Sequence, residues 1–302
     1  MLDDLRVVLS TTLDAYQVAR REVLSLSIPL LRLGPQVPYR PQGRDYVVFH
    51  TWRPGWLEVD AADASGLLEG TPAPELVAAL AARGWTQPGE VDLDAVVQRA
   101  TSDFPALQNP TELRRFLDVV RARRPRVVVE IGTAAGGLFY ALARVAAPDA
   151  TLVAIDLFPT QREDSVCDLL PALAARTQSV HVLRRSSLAR STRDELRAIL
   201  PGPIDLLVVD GDHTYGGTRS DFEMYSPLVG AGGLVAMHDI TVFPHNSGQD
   251  FETGVFWDEL AATRETTTIV DEDGVPGIRT QLHLPEASRR RAAFGFGLVP
   301  IA

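Results

Sequence analysis

Between residues 127 and 239 short apolar runs alternate with longer amphipathic segments. The runs are VVVEI (127–131), TLVAID (151–156), VHVL (180–183), IDLLVVD (204–210) and GLVAMHD (233–239). They are β-branched and nearly continuous in apolar character, the pattern of strands covered on both faces. Helices are expected between them, at 137–147, 162–175, 191–199 and 217–229. This alternation predicts right-handed crossovers and a parallel sheet. A helix at 251–263 and strands TTTIVD (266–271) and GFGLVPI (295–301) follow. The expected fold is α/β: a doubly wound, mostly parallel, seven-stranded sheet over residues 109–302.

Upstream the pattern is different. Leu2, Leu5, Leu9, Leu13, Tyr16 and Val23 recur on one face of an amphipathic helix over 2–26. A Pro- and Gly-rich loop spans 34–44. YVVFHTW (46–52) and WLEV (56–59) read as a strand pair around Arg53-Pro54-Gly55. Helices are expected at 61–69, 73–83 and 92–100, a linker at 101–110 and a further helix at 111–123. Residues 1–108 are therefore read as a smaller α+β accessory domain serving as lid, oligomerisation module or peptide-recognition module.

Net charge is −10 over 302 residues. That argues against nucleic acid or an anionic membrane as partner and for a small-molecule or peptide substrate. A single cysteine, Cys167, is read as a structural thiol in a reducing compartment. No apolar h-region or membrane-length span occurs, so a cytoplasmic protein is expected, and a homo-oligomer. SRRRA (288–292) reads as a solvated basic loop.

The first strand runs into EIGTAAGG. Gly132 and Gly136 suit a tight strand-to-helix turn approached by a ligand. A dinucleotide site carries G-x-G-x-x-G, whereas the spacing here is E-x-G-x-x-x-G-G. Glu130 beside a pyrophosphate has no use; beside a cation it has one. Asp156 ends the second strand, where an acid can accept both hydroxyls of a ribose. A positively charged nucleoside fits both. Asp210 ends the fourth strand in DGDHTY, and His238 and Asp239 end the fifth. These three side chains meet at one rim if the strands are neighbours, and oxygens with one nitrogen suit Mg²⁺ or another divalent cation. His213, three residues after Asp210, is placed as a general base. His245, in FPHNSGQD, is a second candidate base or substrate contact. Asp212 reads as a cap of the next helix.

EIGTAAGG, the Asp156 strand end and the GDH strand end resemble the class I S-adenosylmethionine-dependent methyltransferases, which are Rossmann-like. The resemblance implies that Gly132 and Gly136 hold the amino-acid part of the cofactor and Asp156 its ribose. It implies roles for Glu130 in the same loop and for Ser187 beside the adenine. DGDHTY with SDFEMYSPLVGAGGLVAMHDI is similar to a bacterial group of macrolide-sugar O-methyltransferases and cephalosporin-hydroxylase-like proteins. It is more distantly similar to the metal-dependent catechol-type O-methyltransferases. Their metal ligands fall on Asp210, His238 and Asp239, with His213 at the place of a catalytic lysine. The implied activity is O-methylation of a hydroxyl on a bacterial secondary metabolite, using S-adenosylmethionine and Mg²⁺. Hydroxylation, or methylation of a peptide whose leader adds a strand to the N-terminal domain, are the alternatives.

Overall fold

The computed structural model describes residues 5–9, 46–50, 56–59, 62–63, 73–82, 91–102, 106, 108–158, 166–167, 169–171, 173–174, 177–247, 251–276 and 292–302. Near the N-terminus β1 (Leu5–Leu9), β2 (Tyr46–His50) and β3 (Trp56–Val59) form an antiparallel three-stranded sheet. The expected helix over 2–26 is thus replaced at 5–9 by a strand. LRVVL carries adjacent β-branched valines and pairs along its length with YVVFH, which outweighs the helical spacing of its leucines. The remainder of that expected helix, the loop at 34–44 and residues 288–291 lie outside the described residues. Helices Pro74–Ala82 and Leu93–Ser102 follow.

The main sheet contains β4 (Val127–Ile131), β5 (Thr151–Asp156), β6 (Ser179–Arg184), β7 (Ile204–Val209), β8 (Val229–His238) and β9 (Thr267–Ile269). A two-residue pair, β10 (Val275–Pro276) and β11 (Ala292–Ala293), stands apart from it, and β12 (Phe296–Pro300) completes it. The order is β6-β5-β4-β7-β8-β12-β9. β4 to β8 run parallel, while β12 is antiparallel to both its neighbours. The strand order reverses between β5 and β7 on either side of β4, and ligands of open α/β sheets bind at such a switch point.

Strand periodicity sorts the core into two layers. Val128, Leu152, Ala154, Leu206, Val208, Leu234 and Ala236 pack with Phe116, Leu117 and Phe139 on one face. Val129, Ile131, Val153, Ile155, Leu207, Val209, Val235 and Met237 pack with Phe222, Tyr225 and Trp257 on the other. By the same parity Glu130, Asp210 and His238 fall on the first face, that of helix Pro110–Arg123. Asn109 caps this helix through its side-chain oxygen, accepting from Thr111 and Glu112 N–H groups, and Pro110 opens it. Cys167 is half-buried against the first layer. No helix among the described residues is long and apolar enough to cross a membrane.

Candidate functional site

A cleft of about 430 Å³ opens at the C-terminal ends of β4, β5, β6 and β7. Its floor is the turn after β4. Gly132 has φ +87°, and a Cβ there would lie 2.0 Å from the Asp210 carbonyl oxygen. Only glycine lets this turn press against the end of β7. The Gly132 N–H donates to the Ile155 carbonyl at 2.9 Å, and the Asp210 N–H to Ile131 at 2.9 Å. The turn is thereby fixed to both flanking strands. Gly136, φ +81°, precedes helix Gly137–Val145.

Asp156 holds the turn from the side. One carboxylate oxygen accepts from the Ala134 N–H at 2.8 Å, the other from Phe158 N–H at 2.9 Å. Both donor residues are constrained, since Ala134 (φ 46°) and Phe158 (φ 42°) are left-handed without being glycine. Asp156 still faces the cleft, as do Leu157, Ser186 and Ser187. The Ser187 carbonyl accepts from the Tyr225 hydroxyl at 2.7 Å.

Glu130 lies below, 1% exposed, and neither carboxyl oxygen has a hydrogen-bond partner among the described residues. Burial raises its pKa well above the usual range; the Thr133 hydroxyl opposes this from outside hydrogen-bonding geometry, and the charges of Asp210 and Asp156 add to it.

Beside the cleft two aspartates and two histidines interlock. His213 Nε2 is 2.9 Å from Asp239 Oδ2 and 3.3 Å from Asp210 Oδ1. His238 Nδ1 is 3.2 Å from the same Asp210 oxygen and 3.3 Å from Asp239 Oδ1. His238 is 2% exposed and Asp239 1%. Burial pulls the His238 pKa down, but Asp210 and Asp239 outweigh it and raise the pKa overall. Burial pushes Asp210 up, but His238 and His213 outweigh it and hold the acid well below its usual range. The stabilisation from Asp210 is lost as pH falls through its lowered pKa. That from His238 is lost as pH rises through its raised one. Asp239 has φ +60°, a strained conformation that aspartate tolerates better than most residues.

The donor set suits a divalent cation. Ligating atoms of Asp210, His213 and Asp239 lie within 4.8 Å of one another, two oxygens and one nitrogen in a charged, mostly buried setting. His213, expected as a base, joins this group. His238, expected as a ligand, turns its Nδ1 toward the same acids from the buried side, under the Phe296 ring at 4.7 Å. His245 stands elsewhere: it is exposed, stacks on Phe243 with ring centroids 5.3 Å apart, and is not among the residues lining the cleft.

Asp212 makes the turn before helix Tyr215–Tyr225, accepting from the Thr214 N–H at 2.9 Å; the cap itself is Thr214, accepting from Gly217. Four residues escaped the sequence reading. Gln108 donates to Asp210 Oδ2 at 2.9 Å from a segment read as linker. Glu112, fully buried, accepts backbone N–H bonds from Asp271, Phe294 and Gly295, tying the last strands to the helix beside His238. Phe251 packs on the His213 ring at 5.0 Å. Asp221 is fully buried in helix Tyr215–Tyr225 beneath Gly211. None of the four carries a local sequence signal.

Burial pushes the Asp221 carboxyl up to about 7; the Ser187 hydroxyl opposes this and the Asp212 charge adds to it. A raised acid binds its proton more tightly when folded, so stability falls as pH rises through this range. Asp221→Asn removes that ionisation. Wild-type melting temperature should fall between about pH 4 and pH 7 and level off above, and the variant's should fall less, making the variant the more stable at the alkaline end by roughly 1–3 kcal/mol. Parallel melting curves across this range would contradict the assignment.

The chain is similar to several known proteins. A protein of Sinorhizobium fredii, "Uncharacterized protein y4gI", is 31% identical over 202 residues, which is 60% of this chain and 22% of that protein. The chain thus spans about a fifth of the length of the curated relative it matches. Among solved structures, the O-methyltransferase TomG of Streptomyces achromogenes, in complex with SAM, is similar at 20% identity and TM-score 0.47, covering 74% of this chain and 96% of its own. An O-methyltransferase from Bacillus cereus, in complex with SAH, is similar at 18% identity and TM-score 0.48, covering 76% and 97%. Residues 129–240, from inside β4 to just beyond Asp239, match the family model described as a methyltransferase domain. This stretch, which carries the glycine turn, Asp156, Asp210, His213 and Asp239, is thus similar to methyltransferase domains.

Proposed function

We propose that the chain is an S-adenosylmethionine-dependent methyltransferase that methylates a hydroxyl of a bacterial secondary metabolite. The observation that carries this is Glu130, a buried carboxyl near the Thr133 hydroxyl but with no hydrogen-bond partner among the described residues, beside Asp156 and Asp210 under a glycine turn that admits no side chain. Buried acids without partners are costly unless a cation meets them. A sulfonium nucleoside with an ammonium group supplies that charge. Asp156 would take the ribose, and Leu157 and Ser187 the base; all three line the cleft.

In the transfer the acceptor oxygen forms a bond to the methyl carbon and the sulfur–carbon bond breaks, leaving a neutral thioether. The acceptor's proton must leave. Asp210, His213 and Asp239 would hold a divalent cation, whose charge lowers the pKa of an acceptor hydroxyl. The 2.9 Å contact of His213 Nε2 with Asp239 favours a second use of the same residues. With a proton on Nε2 held by the two carboxylates, Nδ1 is the basic nitrogen, and Asp239 stabilises the imidazolium that forms. One experiment separates them. Transfer of a labelled methyl group to hydroxylated acceptors should fall with EDTA and return with Mg²⁺ if the cation reading is right. Transfer indifferent to EDTA, and lost in His213→Ala, leaves the histidine as base.

Glu130→Gln should move two observables in opposite directions. Removing the stranded ionisable group should raise ligand-free stability by about 1 kcal/mol. Affinity for S-adenosylmethionine should fall roughly tenfold, measured by calorimetry. A variant that is both less stable and equally tight-binding would contradict the role.

A further inference from the structure

Gln108 closes one side of the cleft, in the segment that joins the N-terminal third to helix Pro110–Arg123. It is 9% exposed. Its Nε2 donates to Asp210 Oδ2 at 2.9 Å. A carboxylate accepts and never donates, so the amide nitrogen must be the atom that faces Asp210. The amide oxygen is then fixed as the remaining group, and it is buried with no partner among the described residues. A buried amide oxygen without a donor is a deficit that a ligand can fill.

The surroundings hold this side chain in place. Its neighbour Asn109 caps the helix and donates through Nδ2 to Asp271 at 3.1 Å. Glu112, one turn on, is anchored to three backbone N–H groups. The backbone at 108–112 is therefore stitched to the sheet. Gln108 lines the cleft together with Asp210, the acid it holds, and the Gly132 turn, so a cationic N–H group suits this point better than a carboxylate. We infer that Gln108 is a ligand-binding residue whose Oε1 accepts a hydrogen bond from an N–H of the ligand, the ammonium of an amino-acid moiety, while its Nε2 holds Asp210. This rests on the proposed S-adenosylmethionine reading and extends it to a residue outside the stretch 129–240.

The test compares two nucleosides that share the adenosine thioether and differ in the amino-acid part: S-adenosylhomocysteine, which has it, and 5′-methylthioadenosine, which lacks it. Calorimetric affinities are measured for the wild type and for Gln108→Met, which keeps length and shape without either polar atom. The expected result is a loss of roughly 10- to 30-fold for S-adenosylhomocysteine, with 5′-methylthioadenosine changed less than about threefold. Equal losses for both ligands would reduce Gln108 to a structural role, and unchanged binding of both would remove it from the site; either overturns the inference. Gln108→Asn, one methylene too short to reach both Asp210 and the ligand, should show the same selective loss and serves if the Met variant folds poorly. A wild-type protein that binds neither nucleoside would instead sink the cofactor reading itself.

Discussion

Gly132→Ala is expected to remove cofactor binding and to destabilise the domain. The added methyl would lie 2.0 Å from the Asp210 carbonyl oxygen, 2.4 Å from its carbon and 2.7 Å from the Gly211 Cα. All three are backbone atoms of the turn after β7, so no side chain can swing aside. The turn must lift off β7, and Asp210 must move with it. Left-handed strain adds about 1 kcal/mol and overpacking about 1–3 kcal/mol, so a total loss of roughly 2–4 kcal/mol is expected. Affinity for S-adenosylhomocysteine should fall at least about 100-fold. Gly232 provides the control. Its φ is +82°, nearly the same, but a Cβ there meets nothing within 4 Å. Gly232→Ala should show the conformational penalty alone, about 1 kcal/mol, with affinity intact. Chemical denaturation and calorimetry on the two variants measure both effects. Equal behaviour of the two would mean that the close approach to Asp210 is not what the turn requires.

Asp239→Asn is expected to separate chemistry from binding. Asparagine keeps the size and tolerates the left-handed backbone at this position, so gross misfolding is not the expected outcome. The change removes the carboxylate 2.9 Å from His213 Nε2 and one of the two that hold His238. Asp239 does not line the cleft. The methyl-transfer rate at saturating S-adenosylmethionine should fall by about 10²–10⁴, through a lost cation ligand or a misoriented base. Affinity for S-adenosylhomocysteine should change by less than about threefold. If Asp210, His213 and Asp239 hold a cation, Mn²⁺ affinity followed by electron paramagnetic resonance should fall in parallel. An unchanged rate would remove the cluster from the reaction.

The sheet was legible because buried parallel strands leave a strong signature. Each of VVVEI, TLVAID, VHVL and IDLLVV is a short β-branched run, and the structure places each as a strand. β8 starts at Val229, earlier than the apolar run, because Gly230, Gly232 and Gly233 disguise its first half. The 5–9 strand was illegible for the opposite reason. Leucines at helical spacing mask it, and only its pairing with 46–50 decides the conformation.

In the site, residues at strand ends were legible and residues delivered by packing were not. Asp156, Asp210, His238 and Asp239 end strands, so their positions follow from the sheet. Gln108 and Glu112 reach the cluster only because helix Pro110–Arg123 lies across the first face of the sheet, a placement that no local pattern encodes. The pairing of His213 with Asp239 across two strand ends is equally nonlocal. His245, placed by sequence in a polar loop near the fifth strand, stacks on Phe243 instead.

The central claim is that the acid-floored cleft under Gly132 takes a sulfonium nucleoside. Calorimetric titration of the full chain with S-adenosylmethionine and S-adenosylhomocysteine tests it most directly. The account predicts saturable one-to-one binding of both, with dissociation constants on the order of micromolar. No heat of binding and no shift in melting temperature with either nucleoside, with or without Mg²⁺, would contradict it.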